Sequence, residues 1–141
     1  MTKKKVLFVC THNSARSQMA EGYLNFSYGD RYEAFSAGTE VTSVNPYAIR
    51  AMNEIGVDIS SHRSKRIDEF FGVRMDCIVT VCDCARETCP MFLWAKKRIH
   101  GDFSDPTSAS GSDGEIMDIF RNVRDEIIEF IDVEFGDERD F

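Results

Sequence analysis

Hydrophobic and polar positions along the chain follow two periods in turn, that of a β-strand and that of an α-helix. Short apolar runs predict strands at residues 5–10, 32–37, 75–81 and 97–103. Helical spacing predicts helices at residues 16–28, 45–56 and 115–135, and a short helical turn at 67–71. Because strands that alternate with helices build βαβ units, we expect a mainly parallel sheet with helices on both faces.

Individual residues refine these elements. Asn45 followed by Pro46 is typical of a helix start, with the asparagine as N-cap. Phe70 and Phe71 are both expected to turn inward, and Cys77, inside an apolar strand, is expected to be a core residue without chemistry. The last helix is predicted to bury one face, made of Ile116, Ile119, Phe120, Val123, Ile127, Phe130 and Ile131.

Composition limits the classes of function. The 141 residues are enough for one domain spanning 1–141, and 43% hydrophobic and 29% charged residues are ordinary for a globular protein. A net charge of −7 without a basic cluster argues against nucleic-acid binding. The apolar run after the lysines at 3–5 is too short for a signal sequence or a membrane span, so we expect a cytoplasmic protein without membrane association. The absence of an apolar heptad favours a monomer.

The cysteines are more typical of reactive thiols than of a disulfide framework. There are five, and four of them fall in one segment: Cys10 stands apart from Cys77, Cys82, Cys84 and Cys89. No second Cys pair or His pair completes a zinc-ligand spacing. The 3 histidines are isolated and are expected to be surface or capping residues rather than ligands.

The stretch from Val6 to Ser17 carries the strongest chemical signal. An apolar run ends in Cys10, short polar residues follow, and Arg16 and Ser17 open the next helix. A strand, a short loop and a helix N-terminus together aim backbone N–H groups at an anion. The same field would hold Cys10 as a thiolate, and Arg16 could bind two oxygens of the anion. We therefore predict a pocket for a tetrahedral oxyanion with a nucleophile beneath it. The alternative is a buried strand cysteine and a surface arginine.

Two further groups are predicted at the same edge of the sheet. Cys82 ends the third predicted strand, and Asp105-Pro106 follows the fourth. Since ligands bind at the carboxyl ends of parallel strands, Cys10, Cys82 and Asp105 are expected to meet there. Taken alone, Asp105-Pro106 is also typical of an ordinary turn.

Three motifs occur in order: the segment from Val9 to Gly22 (VCTHNSARSQMAEG), Cys82-x6-Cys89-Pro90, and Asp105-Pro106. Together they resemble the thioredoxin-coupled arsenate reductases, which have the low-molecular-weight protein tyrosine phosphatase fold. The resemblance covers nearly the whole chain. It implies a three-layer α/β fold, with a four-stranded parallel sheet in the order 2-1-3-4 flanked by helices, and it implies reduction of arsenate to arsenite.

For the first chemical step, the resemblance assigns roles within the loop. Cys10 would attack arsenic as a thiolate, Arg16 would bind the equatorial oxygens, and Asp105 would protonate the departing oxygen. Ser17 would hydrogen-bond the Cys10 sulfur and help to keep it ionised. The oxyanion would rest on backbone N–H groups of the loop, whose residues are Thr11, His12, Asn13, Ser14, Ala15, Arg16 and Ser17.

A reductase also needs further thiols. By the resemblance, Cys82 attacks the Cys10–arsenic adduct and arsenite leaves; Cys89 then attacks Cys82, giving a disulfide that thioredoxin reduces, with no bound cofactor. If 82–89 were helical, its ends would lie about 10 Å apart, too far for a disulfide, so we expect this segment to unwind or loop out on oxidation. Cys84 is an alternative resolving thiol, since Cys82-Asp83-Cys84 matches a spacing in reductases that couple to glutaredoxin or glutathione.

Some members of the family bind potassium beside the loop, through residues that match Asn13, Glu21 and Ser36, with an acidic residue where this chain has Lys65. The lysine ammonium could take the place of the cation, so no metal is predicted. The alternative is that Asn13, Glu21 and Ser36 form a hydrogen-bond network that supports the loop.

Two other functions fit parts of the pattern. A low-molecular-weight protein tyrosine phosphatase would need the loop and Asp105 but not the second and third thiols. Its members typically carry proline and an aromatic residue at the positions of Gln18 and Thr107, which favours the reductase. A non-enzymatic redox switch would use the region of Cys82 and Cys89 and would need no anion loop.

Overall fold

A parallel four-stranded sheet forms the centre of the molecule. The computed structural model describes residues 3–81 and 95–136. Its strands are β1 (Lys4–Cys10), β2 (Tyr32–Gly38), β3 (Met75–Thr80) and β4 (Ala95–His100). Every pairing is parallel and the order is β2-β1-β3-β4, which confirms the expected 2-1-3-4 topology. This order places β1, with Cys10 at its carboxyl end, between two neighbours.

The helices connect and cover these strands. They are α1 (Arg16–Tyr28), α2 (Pro46–Asn53) and α3 (Asp113–Phe135), with single 3₁₀ turns at Ile67–Phe70 and Pro106–Ser108. The Asn45 side chain accepts a hydrogen bond from the Tyr47 N–H at 2.8 Å, so the predicted N-cap is confirmed. Ser112 and Glu115 form a capping box, which is why α3 begins before residue 115. In the part of the chain described, no helix combines the length and apolarity needed to cross a bilayer.

The two faces of the sheet pack against different elements. On one face, the ring of Phe8 lies 6.3 Å from that of Phe135 at the end of α3. On the other, Phe35 contacts Phe70 of the first 3₁₀ turn, with ring centroids 5.8 Å apart. Cys77 is fully buried in the middle of β3, as expected of a core residue. The middle of the central strand is thus enclosed on both faces of the sheet.

Other details also differ from the sequence prediction. Phe71 is 43% exposed, because in the short 3₁₀ turn only the preceding Phe70 reaches the core. Ile119 is 37% exposed, since the buried face of α3 runs through Phe120 and Val123 instead. The fourth strand covers Ala95–His100 rather than 97–103, because its pairing with β3 starts at Ala95 and ends at His100.

Candidate active site

A small cavity opens at the carboxyl end of β1. It is lined by Cys10, His12, Ser14, Ala15, Arg16, Asp105 and Thr107. Its empty volume, counted together with the open space at its mouth, is ≈ 190 Å³. The structure therefore brings Cys10, Arg16 and Asp105 into one site, as the sequence predicted.

The loop between β1 and α1 turns its carbonyl groups away from this cavity. The Thr11 carbonyl accepts from the Glu40 N–H at 2.8 Å, and the His12 carbonyl from the Thr42 N–H at 3.2 Å. The next two carbonyls also accept hydrogen bonds. The Asn13 carbonyl accepts from the Ser64 hydroxyl at 2.7 Å, and the Ser14 carbonyl accepts from the Asn45 N–H at 2.9 Å. In a trans peptide, the N–H of the next residue points opposite to the carbonyl.

The N–H groups of residues 12–15 therefore point toward the inside of the loop. One of them is bonded there directly, since the Asn13 N–H donates to the Cys10 sulfur at 3.2 Å. A ring of inward amides with an arginine at its end is an anion-binding arrangement. For residues 12–15, the cradle predicted from the loop sequence is thus present in the backbone geometry.

Two backbone features allow this tight loop. Asn13 has a φ of 52°, a left-handed conformation that asparagine tolerates better than most residues. Gly38, the last residue of β2, lies against the loop: an added Cβ would lie 2.6 Å from Thr11 O and 2.9 Å from Asn13 N. A side chain at position 38 would therefore push the loop out of place.

The Cys10 sulfur lies within a defined set of donors. Ser17 Oγ is 2.8 Å from the sulfur and accepts a hydrogen bond from Asn13 Nδ2, also at 2.8 Å. The orientation of the Asn13 side-chain amide is fixed by a second contact. The amide atom that faces the Lys65 backbone N–H at 2.8 Å must accept, so it is the oxygen Oδ1 and the atom that faces Ser17 is the nitrogen Nδ2. The predicted contact between Ser17 and the sulfur is therefore present, and the hydroxyl is the donor when Cys10 is a thiolate, which can only accept.

The pKa of Cys10 does not follow the sequence prediction. Burial raises it above the ordinary value, because the thiol is 2% exposed and a thiolate there loses its hydration. The hydrogen bonds from Ser17 and Asn13 and the charge of Arg16 act in the opposite direction but do not outweigh burial. The expected lowering is therefore wrong for the loop as it stands, and these contacts limit the rise.

Arg16 is buried at the beginning of α1, with 9% of its surface exposed. One guanidinium nitrogen donates to the Phe103 carbonyl at 3.2 Å, and the other lies 3.5 Å from Asp105 Oδ2. These two contacts hold the guanidinium at the cavity wall. The alternative interpretation, a surface arginine, is wrong.

Asp105 is held by a neighbour that the sequence interpretation did not assign. Thr107 donates to Asp105 Oδ1 from its hydroxyl at 2.6 Å and from its N–H at 3.0 Å. Burial alone would raise the pKa of Asp105, but the Thr107 hydrogen bonds and the charges of Arg16 and His12 lower it overall. The carboxylate is thus ionised at neutral pH, with Oδ2 turned to Arg16.

A second layer of polar side chains lies beneath the loop. Buried Gln18 donates to Asn13 Oδ1 at 2.9 Å and to the Arg63 carbonyl at 2.9 Å. The His62 Nδ1 donates to Gln18 Oε1 at 2.9 Å and to Glu21 Oε2 at 3.1 Å. Sequence interpretation assigned no role to Gln18, and it expected His62 to be a surface or capping residue, whereas the His62 ring is part of this layer. The available signal for Gln18 was its position in the first turn of α1, next to Ser17.

The residues considered for potassium form a connected network. Ser36 Oγ donates to Glu21 Oε1 at 2.8 Å, and the Lys65 ammonium lies 3.5 Å from the same oxygen. The ammonium thus contacts the Glu21 carboxylate. The absence of a metal at this place stays a prediction.

The structure does not describe the segment that contains Cys82, Cys84 and Cys89. The expectation that residues 82–89 rearrange on oxidation concerns the same segment and stays a prediction. The residue before Cys82 is described: the Val81 N–H donates to the Val9 carbonyl at 2.9 Å. Val9 directly precedes Cys10. Cys10 and Cys82 therefore follow two residues that are hydrogen-bonded to each other across neighbouring strands.

Known proteins share this arrangement of chain and sequence. Residues 5–132 match the model of the low molecular weight phosphotyrosine protein phosphatase family. An arsenate reductase of Halalkalibacterium halodurans is 47% identical over 127 residues, which cover 90% of this chain and 91% of that protein.

Solved structures of arsenate reductases are similar to this chain in fold. An arsenate reductase in the phosphate binding state superimposes with a TM-score of 0.80 at 33% identity, over 92% of this chain and 95% of that one. A thioredoxin-dependent arsenate reductase of Corynebacterium glutamicum superimposes with a TM-score of 0.67 at 26% identity. The match covers 93% of this chain and 61% of the chain of that reductase.

Proposed function

Because the chain belongs to the low molecular weight phosphotyrosine protein phosphatase family, we propose that it uses the anion loop of that family to reduce arsenate to arsenite. The observation that carries this proposal is the inward ring of amides, with Cys10 and Arg16, in a cavity of ≈ 190 Å³. Arsenate is a tetrahedral oxyanion that fits such a ring. Relatives named arsenate reductase, with 47% identity in the case given above, support the same activity.

In the first step, the Cys10 sulfur forms a bond to arsenic and one arsenate oxygen departs as water. Arg16 and the loop amides hold the remaining oxygens, where negative charge is concentrated. Asp105 is ionised, so it must gain a proton before it can donate one. The proton lost by the Cys10 thiol supplies it, and Asp105 passes that proton to the departing oxygen.

In the second step, Cys82 attacks the Cys10 sulfur. The sulfur–arsenic bond breaks with its electron pair left on arsenic, so arsenic goes from the +5 to the +3 state and leaves as arsenite. A disulfide joins Cys10 to Cys82. The hydrogen bond between Val81 and Val9 supports this step, because it places the residues before the two cysteines side by side.

In the third step, Cys89 attacks Cys82 and releases Cys10. The dithiol of thioredoxin then reduces the Cys82–Cys89 disulfide, taking over the oxidised state as its own disulfide. Cys84 is the alternative resolving thiol, in which case glutaredoxin or glutathione would replace thioredoxin. We also propose that the enzyme is cytoplasmic and acts as a monomer. Sedimentation velocity would test the oligomeric state.

The decisive assay is arsenate-dependent NADPH oxidation with thioredoxin and thioredoxin reductase, run beside hydrolysis of p-nitrophenyl phosphate. We expect sustained NADPH oxidation that Cys82→Ser and Cys89→Ser abolish while Cys84→Ser does not. Loss of activity in Cys84→Ser with activity kept in Cys89→Ser would exchange their roles. Hydrolysis without NADPH oxidation would identify a phosphatase. Absence of both activities would identify a non-enzymatic binding protein.

A further inference from the structure

His12 lines the cavity together with Cys10, Arg16 and Asp105. The mechanism above uses only its backbone. Its imidazole, however, is half-buried and bonded: Nδ1 lies 2.8 Å from the Glu40 carbonyl oxygen. A side chain held at the mouth of an anion site can contribute to binding.

The bond to Glu40 determines which ring nitrogen exchanges its proton. A carbonyl oxygen can only accept, so Nδ1 carries a hydrogen in the neutral ring as well as in the charged one. Nε2 is therefore the atom that gains or loses the proton. When protonated, it adds both a positive charge and an N–H donor.

The position of the ring is fixed from two sides. The segment after β2 bonds the backbone on either side of His12, through Glu40 N to Thr11 O at 2.8 Å and Thr42 N to His12 O at 3.2 Å. The same segment provides the carbonyl that holds Nδ1. A ring held in this way loses little rotational freedom when it meets a ligand.

The charged groups around the cavity favour a second cation beside a bound anion. Arg16 comes from α1, Cys10 from the end of β1, Asp105 from the turn after β4, and Glu40 from the segment after β2. The Asp105 carboxylate lies 3.5 Å from the Arg16 guanidinium and offsets part of its charge. A dianion in the cavity would therefore gain from another positive group.

We propose that the His12 imidazole is a cationic contact for the bound oxyanion, so that this pocket binds dianions more tightly when Nε2 is protonated. The inference rests on the oxyanion site of the proposed function and adds a binding residue to it.

Sulfate is the probe, because it is a tetrahedral dianion that does not titrate near neutral pH. Its binding would be measured by calorimetry at about pH 5.5 and about pH 8, the range in which histidine changes charge. The parent protein is Cys10→Ser, which removes the titration of the thiol. Asp105 does not interfere, because its pKa is lowered from 3.8 and lies below the range.

In the parent, the dissociation constant for sulfate is expected to rise about tenfold between the two pH values, the effect of losing one charge-assisted hydrogen bond. Adding His12→Gln should reduce this ratio to less than about twofold. Adding His100→Gln instead, which removes the imidazole at the end of β4 that is bonded to Thr80 of β3, should leave the tenfold ratio in place. Circular dichroism checks that each variant is folded.

An equal pH ratio with and without His12→Gln would overturn the inference while leaving the anion site intact. A parent whose sulfate binding does not change with pH would overturn it too. If sulfate bound to no variant at either pH, the oxyanion site itself would fail, and the proposed function with it.

Discussion

Cys10 and Cys77 are both buried thiols on neighbouring parallel strands, but their surroundings differ. Cys77 lies in the middle of β3, opposite Val6 of β1, where burial raises its pKa to about 12. Cys10 lies at the end of β1, where an amide N–H donates to its sulfur, a hydroxyl lies within hydrogen-bond distance of it and Arg16 lies nearby.

The comparison separates burial from reactivity. Both thiols are desolvated, so desolvation alone cannot define a nucleophile. What distinguishes Cys10 is its place at the carboxyl end of a strand, where the chain leaves the sheet and its amide groups become available. A cysteine inside a ladder of strand hydrogen bonds has no such amides, because they are already paired.

The largest difference is expected in catalysis. Cys10→Ser should lower arsenate reduction by at least about 10⁴-fold, because it removes the nucleophile. Cys77→Ala should keep kcat within about threefold of the wild-type value. Steady-state rates in the thioredoxin-coupled assay measure both. A large loss of kcat in folded Cys77→Ala would remove the distinction between the two thiols.

A smaller effect is expected from the donors around the sulfur. Ser17→Ala removes a hydrogen bond to the thiolate and should raise the pKa of Cys10 further, because that hydrogen bond lowers it. Alkylation by iodoacetamide at pH about 7 would then slow about tenfold, since the thiolate is the reactive form. The protein used carries serine at positions 82, 84 and 89, so that Cys10 and the fully buried Cys77 are the thiols that remain.

Ser64→Ala is the matched control for this change. Its hydroxyl bonds the Asn13 carbonyl at 2.7 Å, in the same loop but away from the sulfur. We expect its alkylation rate to stay within about twofold of the parent. Equal slowing in Ser17→Ala and Ser64→Ala would mean that both hydroxyls act through loop rigidity.

The smallest effect concerns stability at high pH. The folded state raises the pKa of Cys77 from 9.0 to about 12, so it holds the thiol proton more tightly than the unfolded state. Stability from this thiol is therefore complete below pH 9.0 and declines between 9.0 and about 12. From pH about 8 to about 10, wild type should lose about 1.4 kcal/mol more free energy of unfolding than Cys77→Val.

Urea denaturation at the two pH values measures this difference. Comparing the two proteins cancels the titration of the other cysteines and tyrosines, which they share. The same decline in both proteins would show that Cys77 does not titrate over this range.

The strand order could be predicted because the resemblance to a known family implies it. The loop could be predicted because it depends on local sequence, an apolar run that ends at Cys10 and is followed by small polar residues, and β1 and α1 occur where they were expected. Arg16 was placed in the site for the same reason. Adjacent residues such as Phe70 and Phe71 were harder, because the direction of each ring depends on the geometry of a single turn.

The polar contacts beyond the motif could not be predicted. Gln18 is bonded to Asn13 and to the Arg63 carbonyl, and Arg63 is distant in sequence. Thr107 orients Asp105 through a turn whose shape the residue types alone do not determine. The pKa of Cys10 was predicted in the wrong direction, because the field of the loop was considered without the cost of burying the charge.

The outward carbonyls of the loop have a consequence for protein engineering. Their partners come from Glu40, Thr42, Asn45 and Ser64, all far along the chain from the loop itself. A peptide of residues 10–17, transplanted onto a foreign strand and helix, would carry the sulfur and the guanidinium but not the scaffold that shapes them. Designers who want this chemistry elsewhere should therefore move the crossover between β2 and the first 3₁₀ turn together with the motif.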